Sequence, residues 1–173
     1  MEFCPTVVEN VASEAFRNIL MLAGVLTAII SVAIVLSTAK KKQTADLLFG
    51  CRLDEHLKVG MQRIAALHDA NGSIKDLLKP ENESTADAQA VKAVLNHWER
   101  IAVGIIQGIY HEEMLRQSNR SNVISLYKKA KPYIDAVRHQ TGTPTFYQQF
   151  ERMAISWEGR PLKPLKTWRW FRD

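Results

Sequence analysis

The sequence predicts an all-α protein: one N-terminal transmembrane helix followed by a cytoplasmic bundle of four to five helices. Three observations predict it. Residues 19–39, ILMLAGVLTAIISVAIVLSTA, run without a charge. Downstream, Val91, Val94, Leu95, Trp98, Ile101, Ala102, Ile105, Ile106 and Ile109 recur at helical spacing. Period-two alternation never persists, so no strand is expected. With 173 residues and 46% hydrophobic content, the chain suits one ordinary domain plus an appendage.

The apolar run comes first. At about 1.5 Å per residue a helix over 19–39 crosses the roughly 30 Å hydrocarbon core of a bilayer. Its polar side chains are Thr27, Ser31, Ser37 and Thr38, hydroxyls able to bond back to the helix. Ser37 and Ala39 match the small-residue spacing of a signal cleavage site. The preceding segment is acidic, however, and the apolar run is longer than a signal core, which favours an anchor. Lys40, Lys41 and Lys42 abut its C-terminal end. The positive-inside rule then predicts a single pass through a bacterial inner membrane, N-terminus outside and C-terminal domain cytoplasmic. Gly24 and Ala28 form a small-xxx-small step that permits close helix–helix approach, with another copy or another spanning helix. The expected organisation is a short extracytoplasmic N-terminus over 1–18, the transmembrane helix over 19–39 and a basic linker over 40–45. A helical domain over 46–158 and a basic aromatic tail over 159–173 follow.

Charge placement narrows the function classes. The net charge is +5. Glu2, Glu9 and Glu14 against Arg17 leave residues 1–17 at −2, the lysine triplet adds +3, and residues 160–173 add +4. Residues 43–159 are therefore neutral. Two local clusters, and no basic stripe across a folded face, make nucleic acid an unexpected partner. Cys4 and Cys51 fall on opposite sides of the bilayer in this reading and cannot pair. Each reads as a small apolar side chain with an ordinary thiol.

In the body, the stretch from Ala45 reads as one helix with Leu53, Leu57, Gly60, Met61, Ile64 and His68 on one side, ending at Asn71-Gly72. SIKDLLKP reads as one or two turns capped by Ser73 and stopped before Pro80. Ser84 or Thr85 caps the central helix, whose Gly104 and Gly108 leave room for a partner helix. A further helix from Ser121 turns Val123, Ile124, Tyr127, Ala130, Ile134 and Val137 inward, and Pro132 should kink or divide it. Thr143-Pro144 reads as an N-cap with proline in the first turn. The last helix then carries Phe146, Phe150, Met153 and Trp157 and ends at Gly159.

Little in the chain reads as chemistry. His97 and Glu99 diverge by about 200° around their helix. The expected reading is a solvated histidine and a glutamate at the edge of the core. His111-Glu112-Glu113 is not HExxH, and no zinc-type cysteine spacing occurs. His56, with Asp54-Glu55, reads as solvated, and His68 as a satisfied or capping histidine. Neither GxGxxG nor GxxxxGK[ST] is present. No catalytic, cofactor-binding or metal-ligating residue is therefore expected, and no cofactor. Glu99, Arg138 and Glu151 could meet as a polar network between three helices, fixing their register. The alternative is an acid/base pair in a pocket, an uncharacterised enzyme.

VLNHWERIAVGIIQGIYHEEMLR and YIDAVRHQTGTPTFYQQFERMAISW resemble the bacterial and phage family catalogued as domain of unknown function 4760, over about residues 45–158. The likeness rests on Asn96 and Glu99, then Arg138 and Gly142, then Phe150 and Glu151. It implies small bacterial or phage-borne helical proteins, often with an N-terminal membrane segment. It implies no activity and no functional residues.

The tail, GRPLKPLKTWRWFRD, has period three. Arg160, Lys163, Lys166, Arg169 and Arg172 form one column, and Leu162, Leu165, Trp168 and Phe171 the next. Pro161 and Pro164 favour polyproline II, where three residues make one turn. Its apolar edge could pack on the body. It could instead lie at the membrane surface with Trp168, Trp170 and Phe171 in the interface, or dock on another protein. The expected function is a membrane-anchored interaction or accessory module acting by protein–protein binding, with itself or a membrane complex, and in contact with lipid. A phage-borne copy would act in host interference or defence. A membrane-active effector assembling through its spanning helix is the remaining alternative.

Overall fold

The computed structural model describes residues 5–69 and 74–162, and the chain divides into two compact units, Met1–Lys40 and Lys41–Asp173. Among the described residues there are five α-helices and no strand. The first helix, α1 (Pro5–Leu53), takes in the apolar run and continues through residues 40–45, read above as a linker.

In the first unit the apolar side chains of α1 face outward. Ile29 is 60% exposed and Val35 65%. The stretch Phe16–Cys51 has a mean hydropathy of 2.8 in its best window, none of it buried, and by length and composition it is a candidate membrane span. Thr27 and Ser31 donate to the carbonyls of Ala23 and Thr27, each at 2.8 Å, as hydroxyls in an apolar helix must. Gly24 has open space around it.

The second unit is a helical body. It holds the end of α1, then α2 (Glu55–Asp69), a short 3₁₀ helix (Ile74–Leu78), α3 (Ala86–Ile106), α4 (Glu112–Thr141) and α5 (Gln148–Gly159). The single helix expected from Ala45 is broken at Asp54. The carboxylate of Asp54 accepts the N–H groups of His56 (2.9 Å) and Leu57 (3.2 Å), so Asp54, exposed with Glu55 and His56 as expected, also serves as the N-cap of α2. The expected stop at Asn71-Gly72 and the Ser73 cap lie outside the described residues. His68 is exposed and beside Asp69 at 3.2 Å, not on the apolar side.

Helix α3 is the centre of the core, as its stripe predicts. Ala88, Val91, Val94, Leu95, Trp98, Ile101 and Ala102 are buried, and Thr85 caps it by accepting from the Ala88 N–H at 3.3 Å. Gly60 lets α2 close on it: a Cβ there would stand 2.5 Å from Val94 Cγ2 and 2.6 Å from the Ala90 carbonyl oxygen. The expected close approach at Gly104 proves local. The Tyr110 ring folds back there, 2.4 Å from where a Cβ would sit. The turn that brings it back runs through Gly108 at φ 70, and the N–H of Ile109 returns to the Gly104 carbonyl at 2.8 Å. Ile106 and Ile109, expected in the core, are 61% and 46% exposed; α3 ends at Ile106, so Ile109 is no longer on the helical stripe.

Helix α4 starts at Glu112, well before Ser121, and passes Pro132 undivided. Helix α5 buries Phe150, Met153 and Trp157 as expected. Phe146 is exposed, and Tyr147 takes its place in the core. The expected cap at Thr143 is also displaced. Residues 143–147 form the connection, and Tyr147 precedes α5 in the left-handed region at φ 56.

Candidate functional site

Helix α5 has twelve residues, and its N-cap position contributes no side-chain hydrogen bond. Its orphan N–H groups are met from another helix. Glu99 of α3 accepts the N–H of Gln149 at 3.2 Å and of Phe150 at 2.7 Å, one carboxylate oxygen to each. These are the bonds a local Ser or Asp would supply, and a carboxylate there also suits the positive end of the helix dipole. Glu99 therefore does not reach Arg138 as expected; its carboxylate is bound to backbone.

Arg138 and Glu151 do meet. Arg138 donates Nε–H to the Phe146 carbonyl at 2.9 Å, and its Nη2 lies 2.9 Å from Glu151 Oε2. That second contact lacks hydrogen-bond alignment and is an ion pair. Tyr127 of α4 donates its hydroxyl to the other oxygen of Glu151. Burial opposes ionisation of Glu151, but the Tyr127 hydroxyl and the Arg138 guanidinium outweigh it and hold its carboxyl below the usual range. The residues that carry the family likeness thus converge on the α4–α5 connection: Glu99 and Phe150 share a hydrogen bond, Arg138 and Glu151 an ion pair, and Gly142 ends α4 at φ 65. Asn96 lines a shallow hollow beside them with Glu99, Thr143, Thr145, Phe146 and Tyr147. The network binds helices together and leaves its carboxylates engaged.

The far end of α5 is also met from outside. Arg116 of α4, 4% exposed, donates Nη1 to the carbonyls of Arg160 (2.9 Å) and Pro161 (3.2 Å), and Nε and Nη2 to Glu113. Arg120 donates to the Trp157 carbonyl at 2.8 Å and the Glu158 carbonyl at 2.9 Å. Glu112 accepts from the Trp157 indole N–H at 3.1 Å and pairs with Arg160. Arg160, read as part of a lipid- or partner-facing edge, is thus tied to α4. Lys163, Lys166, Trp168, Arg169, Trp170, Phe171 and Arg172 lie outside the described residues.

Sequence reasoning missed the opposite side of the body. Cys51 Sγ lies 3.2 Å from His97 Nε2. The thiol is not an isolated filler and the histidine is not solvated: its ring is half-buried and meets Trp98 edge-on at 5.7 Å. Burial first, then the nearby Arg100 charge, lowers the His97 pKa, so the imidazole is neutral at pH 7. The pair opens on a cavity of about 320 Å³ between the end of α1, α2, α3 and α4. Leu47, Leu48, Leu57, Met61, Val94, Trp98, Ile101 and Leu115 line it with Lys58, Ser118, Asn119 and Asn122. No local sequence signal pointed from His97, read as solvated, to Cys51, 46 positions away.

His111 also has a structural post. Its Nδ1 accepts the Met114 N–H at 3.3 Å, capping α4, and its own N–H donates to the buried hydroxyl of Thr44 at 2.8 Å. Among the described residues no three His, Cys, Asp or Glu side chains are placed to hold a metal ion. Neither a curated protein nor a solved structure matches the chain. A family model does match, over residues 18–157, and so takes in most of α1 and the contacts of Glu99, Tyr127, Arg138 and Glu151. The chain belongs to the family described as Domain of unknown function (DUF4760).

Proposed function

We propose that the chain is a single-pass anchor of the bacterial inner membrane whose cytoplasmic helical body acts by protein–protein binding, with its own copies or a membrane complex. The outward apolar face of α1 carries the reading. Side chains such as Ile19, Ile29 and Val35 are about 60% exposed all around the helix, and water is a poor solvent for such a surface. Lipid, or a second spanning helix at Gly24 and Ala28, is the cover that suits it. The lysine triplet directly after the run supports a cytoplasmic body.

The polar network supports binding over catalysis, because Glu99 is spent on the α5 N–H groups and Glu151 on Arg138 and Tyr127. A groove between α3 and α5, lined by Ala102, Ile105, Ile106, Gln149, Arg152, Met153 and Ser156, supplies a surface for a partner. Exposed Val103 and Ile155 belong to the same two helices. A phage-borne copy would place that partner in the host.

The test is a photo-crosslinking residue at Ile106 in the full-length chain in intact cells, read together with fractionation. The expected result is one discrete protein adduct in a fraction that resists carbonate washing, lost in Ile155→Glu. Release by carbonate, or no discrete adduct from membranes, overturns the reading.

A further inference from the structure

We infer that the cavity beside Cys51 and His97 is a binding site for a single-chain amphiphile ending in a carboxylate, of the fatty-acid class. The volume, about 320 Å³, is in the range of small-molecule sites. The walls divide by chemistry. Met61, Trp98, Ile101 and Leu115 offer a continuous apolar surface for a chain. The same lining supplies groups that would meet a head: the Lys58 ammonium, the amides of Asn119 and Asn122, and His97. None of the lining residues is acidic. A cation and amide donors beside an apolar channel suit an acceptor head of negative charge, with the chain turned inward. Lys58 also pairs with Glu55 at 2.7 Å on an exposed face, so a bound head would share the ammonium with Glu55.

The thiol makes the site measurable. Cys51 is half-buried against His97 at the cavity wall, so an occupant shields it from reagents in water. This inference does not depend on the partner proposed above. The experiment uses the full-length chain carrying Cys4→Ser, held in phosphatidylcholine nanodiscs, and follows alkylation of Cys51 by iodoacetamide. Decanoate is the probe. Saturable protection is expected, about elevenfold slower alkylation when the free probe is ten times its Kd. Decanol, with the chain but no carboxylate, should protect less. Met61→Trp, which narrows the cavity from a half-buried position, should weaken protection while the helical signal in circular dichroism stays unchanged. Failure of decanoate to protect overturns the inference, because bilayer acyl chains are present throughout and are not the occupant claimed. Equal protection in Met61→Trp overturns it too, since the effect would then come from partitioning into the disc. Equal protection by decanol refutes the carboxylate head.

Discussion

The two sides of the helical body are built on different terms. Around α5 charged side chains act as fastenings: Glu99 holds one end, Arg116 and Arg120 the other, and Arg138, with Tyr127 and Glu151, the flank. Beneath α1 and α2 a cavity remains, with a thiol and a neutral imidazole on its wall. The conspicuous charged residues are structural fastenings, and the space for a ligand lies where the sequence is plain. Stability should concentrate on the first side and tolerance on the second.

The largest contrast is in the aromatic anchors. Trp157→Ala removes a fully buried ring that also donates to Glu112, and should cost about 3–5 kcal/mol. Met61→Ala, half-buried on the cavity wall, should cost no more than about 1 kcal/mol. Thermal unfolding followed by circular dichroism reads both, and equal losses would erase the contrast. Next is the borrowed cap. Glu99→Ala strands two N–H groups at the start of α5 and should cost about 2 kcal/mol, with Glu99→Gln recovering part of it. An unchanged melting temperature would mean that α5 is held by its apolar face alone.

Gly142→Ala comes third. At φ 65 a Cβ meets no neighbour, so the loss is backbone strain of about 1 kcal/mol, read in the same melts. The smallest effect is electrostatic. Arg138→Met should cost roughly 0.5–1 kcal/mol at neutral pH, since its partner is only partly buried. The sign follows from the depressed Glu151 pKa. The stabilisation is present above the ordinary value of 4.5 and is lost as pH falls through the folded-state value. The gap between wild type and variant should therefore narrow in acid, leaving the part due to the lost Nε–H bond to the Phe146 carbonyl; a gap unchanged by pH would refute the ion pair's contribution.

Much of this architecture was legible beforehand because helical periodicity is a local signal. The α3 stripe, the buried Phe150, Met153 and Trp157, and the short turn at Ile74–Leu78 all follow from residues within a few positions of one another. The misreadings come from contacts between distant positions. Glu99 and Arg138 sit where a direct pair is plausible, yet the unpaired N–H groups of α5 compete for the carboxylate and win it. Cys51 and His97 lie 46 positions apart on different helices, and no spacing rule joins them.

A helix with both ends secured by other segments has a consequence for how the chain matures. A dozen residues are too few to hold a helix alone in water, and α5 finds its end partners on α3 and α4. Its order is thus conferred by the assembled remainder, which makes it a late arrival in folding and ties its loss to the unfolding of the whole body. A protease added at rising temperature should therefore nick α5 only as the body as a whole unfolds.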